Sequence, residues 1–126
     1  NKVARKMKIL VVDDSKTALF MQSMILKKGH YELVTADDGE EAVRKAVAEL
    51  PDLILMDVVM PKMTGFEACR ELRKREATKA IPIILVTTRG EATNVEQGFE
   101  SGCTDYVTKP IDGLVLLSKV RDCIGN

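Results

Sequence analysis

Short, unbroken hydrophobic runs alternate along this chain with longer segments in which hydrophobic residues recur every three or four positions. An unbroken run of about four to eight apolar residues is typical of a buried strand, and the wider spacing is typical of an amphipathic helix. We predict strands at 7–12, 33–36, 53–57, 83–87 and 105–107, and helices that include 91–101 and 114–124. A helix-like segment follows each strand, so the pattern predicts five consecutive βα units.

Residues that cap helices stand at the start of several helix-like segments. Ser15 can cap the first, which is expected to end at Gly29 in a left-handed conformation. Asp38 can cap the second, and Thr64 can form a capping box with Glu67 at the third. The side chains predicted to face the core are Ala18, Met21 and Ile25, then Ala42, Val43, Ala46, Val47 and Leu50, then Phe66, Cys69 and Leu72, and finally Leu117, Val120 and Ile124.

Five βα units predict an α/β domain with a single doubly wound, five-stranded parallel sheet. The runs 9–12 and 53–56 are wholly apolar, as central strands buried on both faces must be, whereas 33–36 is mixed and suits an edge. The flavodoxin-like strand order 2-1-3-4-5 satisfies both conditions. A length of 126 residues suits one domain, so we assign 7–126 to it and treat the polar residues 1–6 as an N-terminal extension.

The composition narrows the classes of partner. The chain has 19 basic residues (lysine plus arginine) and 19 acidic residues (aspartate plus glutamate). It therefore has no net positive charge with which to bind nucleic acid or an anionic membrane. No apolar stretch approaches membrane-spanning length, and with the zero net charge we expect neither nucleic acid nor membrane as a direct partner. An odd number of cysteines without CxxC spacing suits free thiols in a reducing cytoplasm, where we expect the chain to be. The three cysteines lack metal-binding spacing and there is one histidine, which argues against a zinc site.

Carboxylates stand where two of the predicted strands end. Asp13 and Asp14 follow the first strand directly, and Asp57 ends the third. In the predicted strand order these two strands are neighbours, and their carboxyl ends meet at the switch point where such sheets bind ligands. Three negative charges this close repel one another and call for a cation between them. A hard, oxygen-seeking ion such as Mg²⁺ is the cofactor that suits them.

Two further strand ends carry groups suited to a phosphoryl group. A carboxylate such as Asp57 can attack phosphorus and form an acyl phosphate, and phosphoryl transfer depends mainly on positioning and charge neutralisation. Mg²⁺ and the ammonium of Lys109 would neutralise charge, and the hydroxyl of Thr87 could reach a phosphoryl oxygen. Each feature alone is common in purely structural roles, since threonine, for example, is frequent in strands. Together, at the ends of different strands, they favour a phosphoryl-binding site.

Five segments of the chain match one known family in order and in spacing. They are 9–15 (ILVVDDS), 55–61 (LMDVVMP), 64–65 (TG), 86–88 (VTT) and 105–110 (DYVTKP). On these segments the chain resembles the receiver domain of two-component response regulators. The resemblance implies that Asp57 takes phosphate from the phosphohistidine of a sensor histidine kinase or of a histidine phosphotransfer protein. It also implies that Asp13, Asp14 and Asp57 hold Mg²⁺ together with the main-chain carbonyl of Val59.

The same resemblance implies a switch. Lys109, followed by a cis bond to Pro110, would contact the phosphoryl group, and Thr87 would move toward it. Tyr106 would then turn inward and remodel the surface made by the fourth helix, fifth strand and fifth helix. This surface would control a downstream protein or effector domain. The chain would act as a signalling domain rather than an enzyme, as a monomer or as a phosphorylation-dependent dimer.

Leu19 and Phe20 stand apart from this machinery. If Ala18, Met21 and Ile25 face the sheet, helical spacing puts Phe20 on the solvent side, beside Leu19. One interpretation is a scattered exposed apolar residue, which is common on protein surfaces. The other is a docking patch for a helix of the kinase or phosphotransfer protein.

Other classes with related chemistry fit the sequence less well. A haloacid-dehalogenase-type phosphatase has two aspartates one residue apart after its first strand, whereas here the pair is adjacent. The phosphate loop of a flavodoxin-type electron carrier and the GxxxxGK[ST] motif of a P-loop nucleotide hydrolase are both missing. A receiver-like interaction module that works without phosphorylation stays open as the alternative. The sequence is compatible with a stand-alone receiver and with part of a longer regulator.

Overall fold

The computed structural model describes residues 5–88 and 92–125, except the side chains of 92–94. The elements in chain order are β1 (Lys8–Val12), α1 (Lys16–Lys27), β2 (Glu32–Ala36), α2 (Gly39–Glu49), β3 (Leu53–Asp57), α3 (Gly65–Lys74), β4 (Ile83–Thr88), α4 (Ala92–Ser101), β5 (Asp105–Lys109) and α5 (Gly113–Ile124). The predicted strands and helices are thus present, with small shifts at their ends. The predicted helix start at Glu91 and residues 1–4 of the predicted extension lie outside the described residues.

The strands form one parallel sheet in the order β2-β1-β3-β4-β5, which confirms the predicted fold class and strand order. Helices α1 and α5 pack on one face of the sheet, and α2, α3 and α4 pack on the other. Both faces of β1, β3 and β4 are therefore covered. This double burial explains why these strands are apolar at successive positions instead of alternating.

The edge strand β2 is mixed in composition, with Glu32 and Thr35 exposed to solvent. Its composition agrees with its place in the sheet, because one side of an edge strand has no neighbouring strand. Within residues 5–88 and 92–125, no helix combines the length and the apolar character needed to cross a membrane.

The caps predicted for the first three helices are confirmed. Ser15 caps α1, Asp38 caps α2 and Thr64 caps α3, each accepting a hydrogen bond from a backbone N–H of the first turn. Thr64 and Glu67 form both bonds of the capping box, at 3.1 and 2.9 Å. These caps satisfy backbone donors that have no partner inside the helix, and they fix where each helix begins relative to the strand before it.

The end of α1 differs from the prediction. The left-handed residue is His30, with a φ of 63°, and Gly29 does not adopt that conformation. Glycine is needed at position 29 for a different reason, since a Cβ there would lie 2.5 Å from the ring of Tyr31 and 3.3 Å from Leu117. Gly29 therefore permits close packing of the turn after α1 against α5.

Three side chains predicted to face the core are exposed. Met21 is 59% exposed, and Val47 and Leu50 are exposed at the end of α2. The fully buried positions of α1 are Gln22 and Leu26, so its inner face is rotated by about one residue from the prediction. Hydropathy alone favoured Met21 for the inner face, because Met21 is apolar whereas the next residue, Gln22, is polar. The predicted inner faces of α3 and α5 are confirmed.

Candidate functional site

Three carboxylates meet at the carboxyl edge of the sheet, where β1 and β3 end side by side. Val12 pairs with Met56 in the parallel register, which brings Asp13 and Asp57 to the same edge. Together with Asp14 they form a cluster in which one oxygen of each lies within 4.8 Å of the others. Asp13 is 1% exposed and Asp57 is 7% exposed, whereas Asp14 faces solvent. The structure therefore brings together the three acids that the sequence singled out.

The start of α1 holds Asp13 in place. Its Oδ1 accepts a 2.9 Å hydrogen bond from the N–H of Ser15, the residue that also caps α1. Its own N–H donates to the carbonyl of Ala36 at 3.2 Å. These bonds fix the backbone and one carboxylate oxygen of Asp13. The other oxygen, Oδ2, faces Lys109 and Gln22.

The ammonium of Lys109 bridges two of the acids. Its Nζ lies 3.0 Å from Oδ1 of Asp57 and 3.3 Å from Oδ2 of Asp13. Lys109 ends β5, which is separated from β3 by β4, so its long side chain reaches across the end of a strand. The peptide bond from Lys109 to Pro110 is cis, as the family resemblance implied.

The electrostatic balance of the cluster is negative. Burial, with a further contribution from the charges of Asp13 and Asp14, raises the pKa of the Asp57 carboxyl, and the hydrogen bond from Lys109 only partly opposes the shift. Burial by itself would lower the pKa of Lys109, but its contacts with Asp57 and Asp13 raise it. One ammonium therefore does not compensate three carboxylates. A divalent cation would stabilise the ionised form of Asp57.

The ligand atoms that the cluster offers fit Mg²⁺. They are carboxylate oxygens only, from two buried residues and one exposed residue. Mg²⁺ prefers oxygen ligands and keeps several of its waters in protein sites. The exposed Asp14 leaves one side of the cluster open, which would let such waters and a phosphoryl group approach.

Thr87 and Gly65 lie close to the phosphoacceptor candidate. Thr87 follows Val86, the residue that pairs with Asp57, and its buried hydroxyl has no hydrogen-bond partner among the described residues. A buried hydroxyl without a partner is uncommon and suggests a ligand. A Cβ at Gly65 would collide with the backbone carbonyl of Asp57. The absence of a side chain at Gly65 therefore lets α3 begin directly against the end of β3.

Tyr106, the predicted switch residue, contacts side chains of both α4 and α5. Its ring meets that of Phe99 edge-on, with centroids 6.1 Å apart and planes at 88°. The Nζ of Lys119 lies 4.7 Å from the centre of the Tyr106 ring. The side chain is half-buried and is not part of the core. Val59 has an exposed side chain in the loop after β3, which leaves its main-chain carbonyl as the predicted ligand group.

The two residues of the predicted docking patch differ in exposure. Phe20 is 65% exposed, as expected, whereas Leu19 is half-buried and packs against the core beneath α1. Both line an open groove of about 500 Å³, together with Lys16 and Lys27. The groove also contains Lys45 and two acids, Asp37 and Glu41, so charges of both signs border its apolar side chains.

Gln22 is a residue of this site that the sequence analysis missed. It lies on the inner face of α1, is 3% exposed, and places its Nε2 3.5 Å from Oδ2 of Asp13. Hydropathy gives no signal for it, because Gln22 is polar and its place beside Leu26 on the inner face of α1 is known only from the structure. A carboxamide at such a position is unusual and points to a polar partner inside the fold.

Comparison with known proteins identifies relatives over nearly the whole chain. Residues 9–121 match the family model described as response regulator receiver domain. Protein PilH of Pseudomonas aeruginosa is 42% identical over 114 residues, which cover 90% of this chain and 94% of PilH. The response regulator PleD of Caulobacter vibrioides is 43% identical over 114 residues, which cover 90% of this chain but 25% of PleD. The chain thus spans most of one relative and about a quarter of another.

A solved structure agrees with these relatives. The receiver domain of the sensor histidine kinase PA1611 from Pseudomonas aeruginosa was solved with a magnesium ion coordinated in its active site cleft. It matches this chain with a TM-score of 0.89 and 30% identity, covering 97% of this chain and 100% of that chain. Sequence, fold and acidic cluster therefore agree, and the chain belongs to the response regulator receiver domains of two-component signalling.

Proposed function

We propose that Asp57 accepts a phosphoryl group in a Mg²⁺-dependent reaction and that the chain is a phosphorylation-controlled switch. Receiver domains are signalling domains. The observation that carries the proposal for these particular residues is the composition of the cluster. A buried carboxylate, Asp57, lies within reach of two further acids, Asp13 and Asp14, and 3.0 Å from the ammonium of Lys109. This arrangement suits a phosphoryl group better than it suits a purely structural ion pair.

In the proposed transfer, an oxygen of Asp57 forms a bond to phosphorus while the P–N bond of a donor phosphohistidine breaks. The electron pair of that bond stays on the imidazole nitrogen of the donor. Bound Mg²⁺ would neutralise charge on the phosphoryl oxygens. Asp13, Asp14 and Asp57 would hold the cation with the carbonyl of Val59. Lys109 would add its own positive charge.

Thr87 and Tyr106 are proposed to carry the signal away from the site. The buried Thr87 hydroxyl would donate to a phosphoryl oxygen and move toward it, which opens space behind it. Among the described residues, the ring of Tyr106 makes an aromatic contact with Phe99 and a cation–π contact with Lys119. Such contacts are worth on the order of 1–2 kcal/mol together, so one new hydrogen bond at Thr87 is enough to shift the balance. The α4–β5–α5 surface would then be remodelled and would control a protein partner or effector domain.

The proposal extends to partners and setting. The donor would be a sensor histidine kinase or a histidine phosphotransfer protein, and neither nucleic acid nor membrane would bind directly. Residues 7–126 would form the receiver unit after an extension at 1–6, in the cytoplasm, as a monomer or a phosphorylation-dependent dimer. The match covers only 25% of PleD. In a regulator of that length, the activity of the whole protein would also depend on segments outside the receiver domain.

A crystal structure with MgCl2 and beryllofluoride tests the proposed site directly, because beryllofluoride imitates a phosphoryl group on a carboxylate. We expect beryllium bonded to one carboxylate oxygen of Asp57, and Mg²⁺ bound by Asp13, Asp14, the other oxygen of Asp57 and the carbonyl of Val59. We also expect the Nζ of Lys109 on a fluorine atom. Beryllofluoride on another residue, or acids that turn away from a common cation, would refute the proposal and favour a module that works without phosphate.

Replacing Phe20 with alanine tests the docking patch. We expect Phe20→Ala to slow phosphotransfer by roughly tenfold from a histidine kinase that phosphorylates the wild-type chain, because an exposed aromatic anchor is lost. Phosphorylation by acetyl phosphate should not change, since Phe20 is not part of the cluster of Asp13, Asp14 and Asp57. Val47→Ala, which removes an exposed apolar side chain from α2, is the matched control. Equal slowing with both phosphate donors would count against docking at Phe20.

A further inference from the structure

Gln22 stands out among the buried residues of α1. It is 3% exposed and shares the inner face of the helix with Leu26. A leucine or methionine would fill such a position with a side chain of similar size and no polar atoms. Its carboxamide is therefore unexpected on packing grounds alone, and its surroundings indicate what it does.

The two ends of the Gln22 carboxamide have different environments. The Nε2 lies 3.5 Å from Oδ2 of Asp13, an oxygen that the Nζ of Lys109 also approaches at 3.3 Å. A carboxylate accepts hydrogen bonds and cannot donate them when ionised, so the NH₂ end is the end that must face it. The carbonyl oxygen, Oε1, is buried and has no hydrogen-bond partner among residues 5–88 and 95–125.

An unpartnered buried carbonyl destabilises the folded protein relative to an apolar side chain of the same size. Gln22 therefore lowers stability at one end of its carboxamide while it contacts a candidate metal ligand at the other. Residues that sacrifice stability in this way are expected at functional sites.

We propose that Gln22 is a positioning residue for Mg²⁺, orienting Asp13 toward the cation by donating to its Oδ2. The inference rests on the proposed function, in which Asp13 is a ligand and Lys109 engages the phosphoryl group. Lys109 contacts Asp57 as well as Asp13, so it cannot hold Asp13 once it turns to the phosphoryl group. Gln22 is a neutral donor and orients the carboxylate without offsetting the negative charge that attracts the cation. Residues behind metal ligands act in this way in other metal sites.

Gln22→Met separates positioning from packing, because methionine keeps the length of the side chain and removes both polar atoms. Binding of MgCl2 is measured by titration in two-dimensional 15N NMR, following the backbone amides of Asp14 and Ser15. Stability is measured by urea unfolding without Mg²⁺. We expect about tenfold weaker Mg²⁺ binding in the variant, with unfolding stability equal to or above that of the wild type. Gln97→Met, at an exposed position of α4, should change neither quantity.

The outcomes are distinguishable. A wild-type chain that does not bind Mg²⁺ would overturn the proposed function and this inference with it. Mg²⁺ binding that is equal in the wild type and Gln22→Met would overturn the inference alone. A clear loss of stability in Gln22→Met would also overturn it, because it would show a structural role. Gln22→Leu repeats the test with a second apolar side chain and should give the same result as Gln22→Met.

Discussion

Replacing Lys109 with methionine is expected to slow phosphorylation of Asp57 by acetyl phosphate by roughly 10²-fold, the usual effect of removing one group that stabilises transition-state charge. The Nζ of Lys109 lies 3.0 Å from Asp57, at the place where the negative charge of a phosphoryl group would develop. Methionine has a similar length and shape, so the variant mainly removes the positive charge. The rate is measured by intact mass spectrometry over time at saturating MgCl2.

The same variant should also destabilise the unmodified protein. Lys109 is the only cation in hydrogen-bond contact with Asp13 and Asp57 among the described residues. Breaking a buried ion pair leaves an uncompensated charge, but the Lys109 side chain is 39% exposed and water screens part of the effect. We expect a loss of about 2 kcal/mol in the free energy of unfolding at neutral pH without Mg²⁺.

The pH dependence of this loss has a definite sign. Burial already raises the pKa of Asp57 in the folded protein, and loss of Lys109 would raise it further. A folded carboxyl with a raised pKa binds its proton more tightly than the unfolded one, so stability falls as the pH rises through that pKa. Lys109→Met should therefore approach the stability of the wild type near pH 4 and differ most near neutral pH. Millimolar Mg²⁺ should restore part of the difference, since it supplies positive charge to the same acids.

Lys74→Met is the control for the Lys109 variant. Lys74 is exposed and, among the described residues, pairs only with the neighbouring Glu71 on α3, so its removal should alter stability by less than about 0.5 kcal/mol and leave the rate unchanged. If Lys109→Met were phosphorylated as fast as the wild type, the proposed role of Lys109 at the phosphoryl group would be wrong.

The strands and their order could be predicted because burial on both faces leaves a strong signal in sequence. The runs around Leu10 and Leu55 are apolar at successive positions, as a central strand of a covered parallel sheet requires. The strand order then placed Asp13 beside Asp57 without any side-chain information, since carboxyl ends of neighbouring parallel strands share one edge. Most of the candidate site followed from topology in this way.

The orientation of α1 could not be predicted, because it depends on a polar contact inside the fold. Hydropathy favoured Met21 for the inner face, whereas Gln22 occupies it and reaches Asp13. The sequence does not show that a buried carboxylate will stand opposite this helix. The left-handed conformation of His30 was also missed, because the sequence analysis assigned that conformation to Gly29. Glycine is required at position 29 by close packing against Tyr31, and a packing requirement of this kind cannot be read from the sequence.

Arg73 shows the same limit at the opposite end of the sheet. Its Nε donates to the carbonyl of Gly102 at 2.8 Å, and its Nη1 donates to the carbonyl of Ile81 at 2.7 Å. These bonds join the end of α3 to the loops before β4 and β5. The acceptors are backbone carbonyls far along the chain, and any residue type can supply a carbonyl. Neither the hydrophobic pattern nor the composition of the sequence therefore predicts this contact.

Replacing Asp57 with asparagine is expected to abolish phosphorylation. Asparagine keeps the shape of the side chain, but its carboxamide cannot form an acyl phosphate as the carboxylate can. The variant should fold, and without Mg²⁺ it should be at least as stable as the wild type at neutral pH. The reason is that burial opposes the ionised Asp57 in the folded protein. Urea unfolding at neutral pH checks this part of the prediction.

The most direct test of the account is intact mass spectrometry after incubation with acetyl phosphate. It compares the wild type, Asp57→Asn and Asp122→Asn, the last of which alters an exposed carboxylate of α5, each with MgCl2 and with excess chelator. We predict that the wild type and Asp122→Asn gain the mass of one phosphoryl group with Mg²⁺ only, and that Asp57→Asn gains none. A wild type that gains no phosphoryl group, a gain that survives the chelator, or an equal gain in Asp57→Asn would contradict the account.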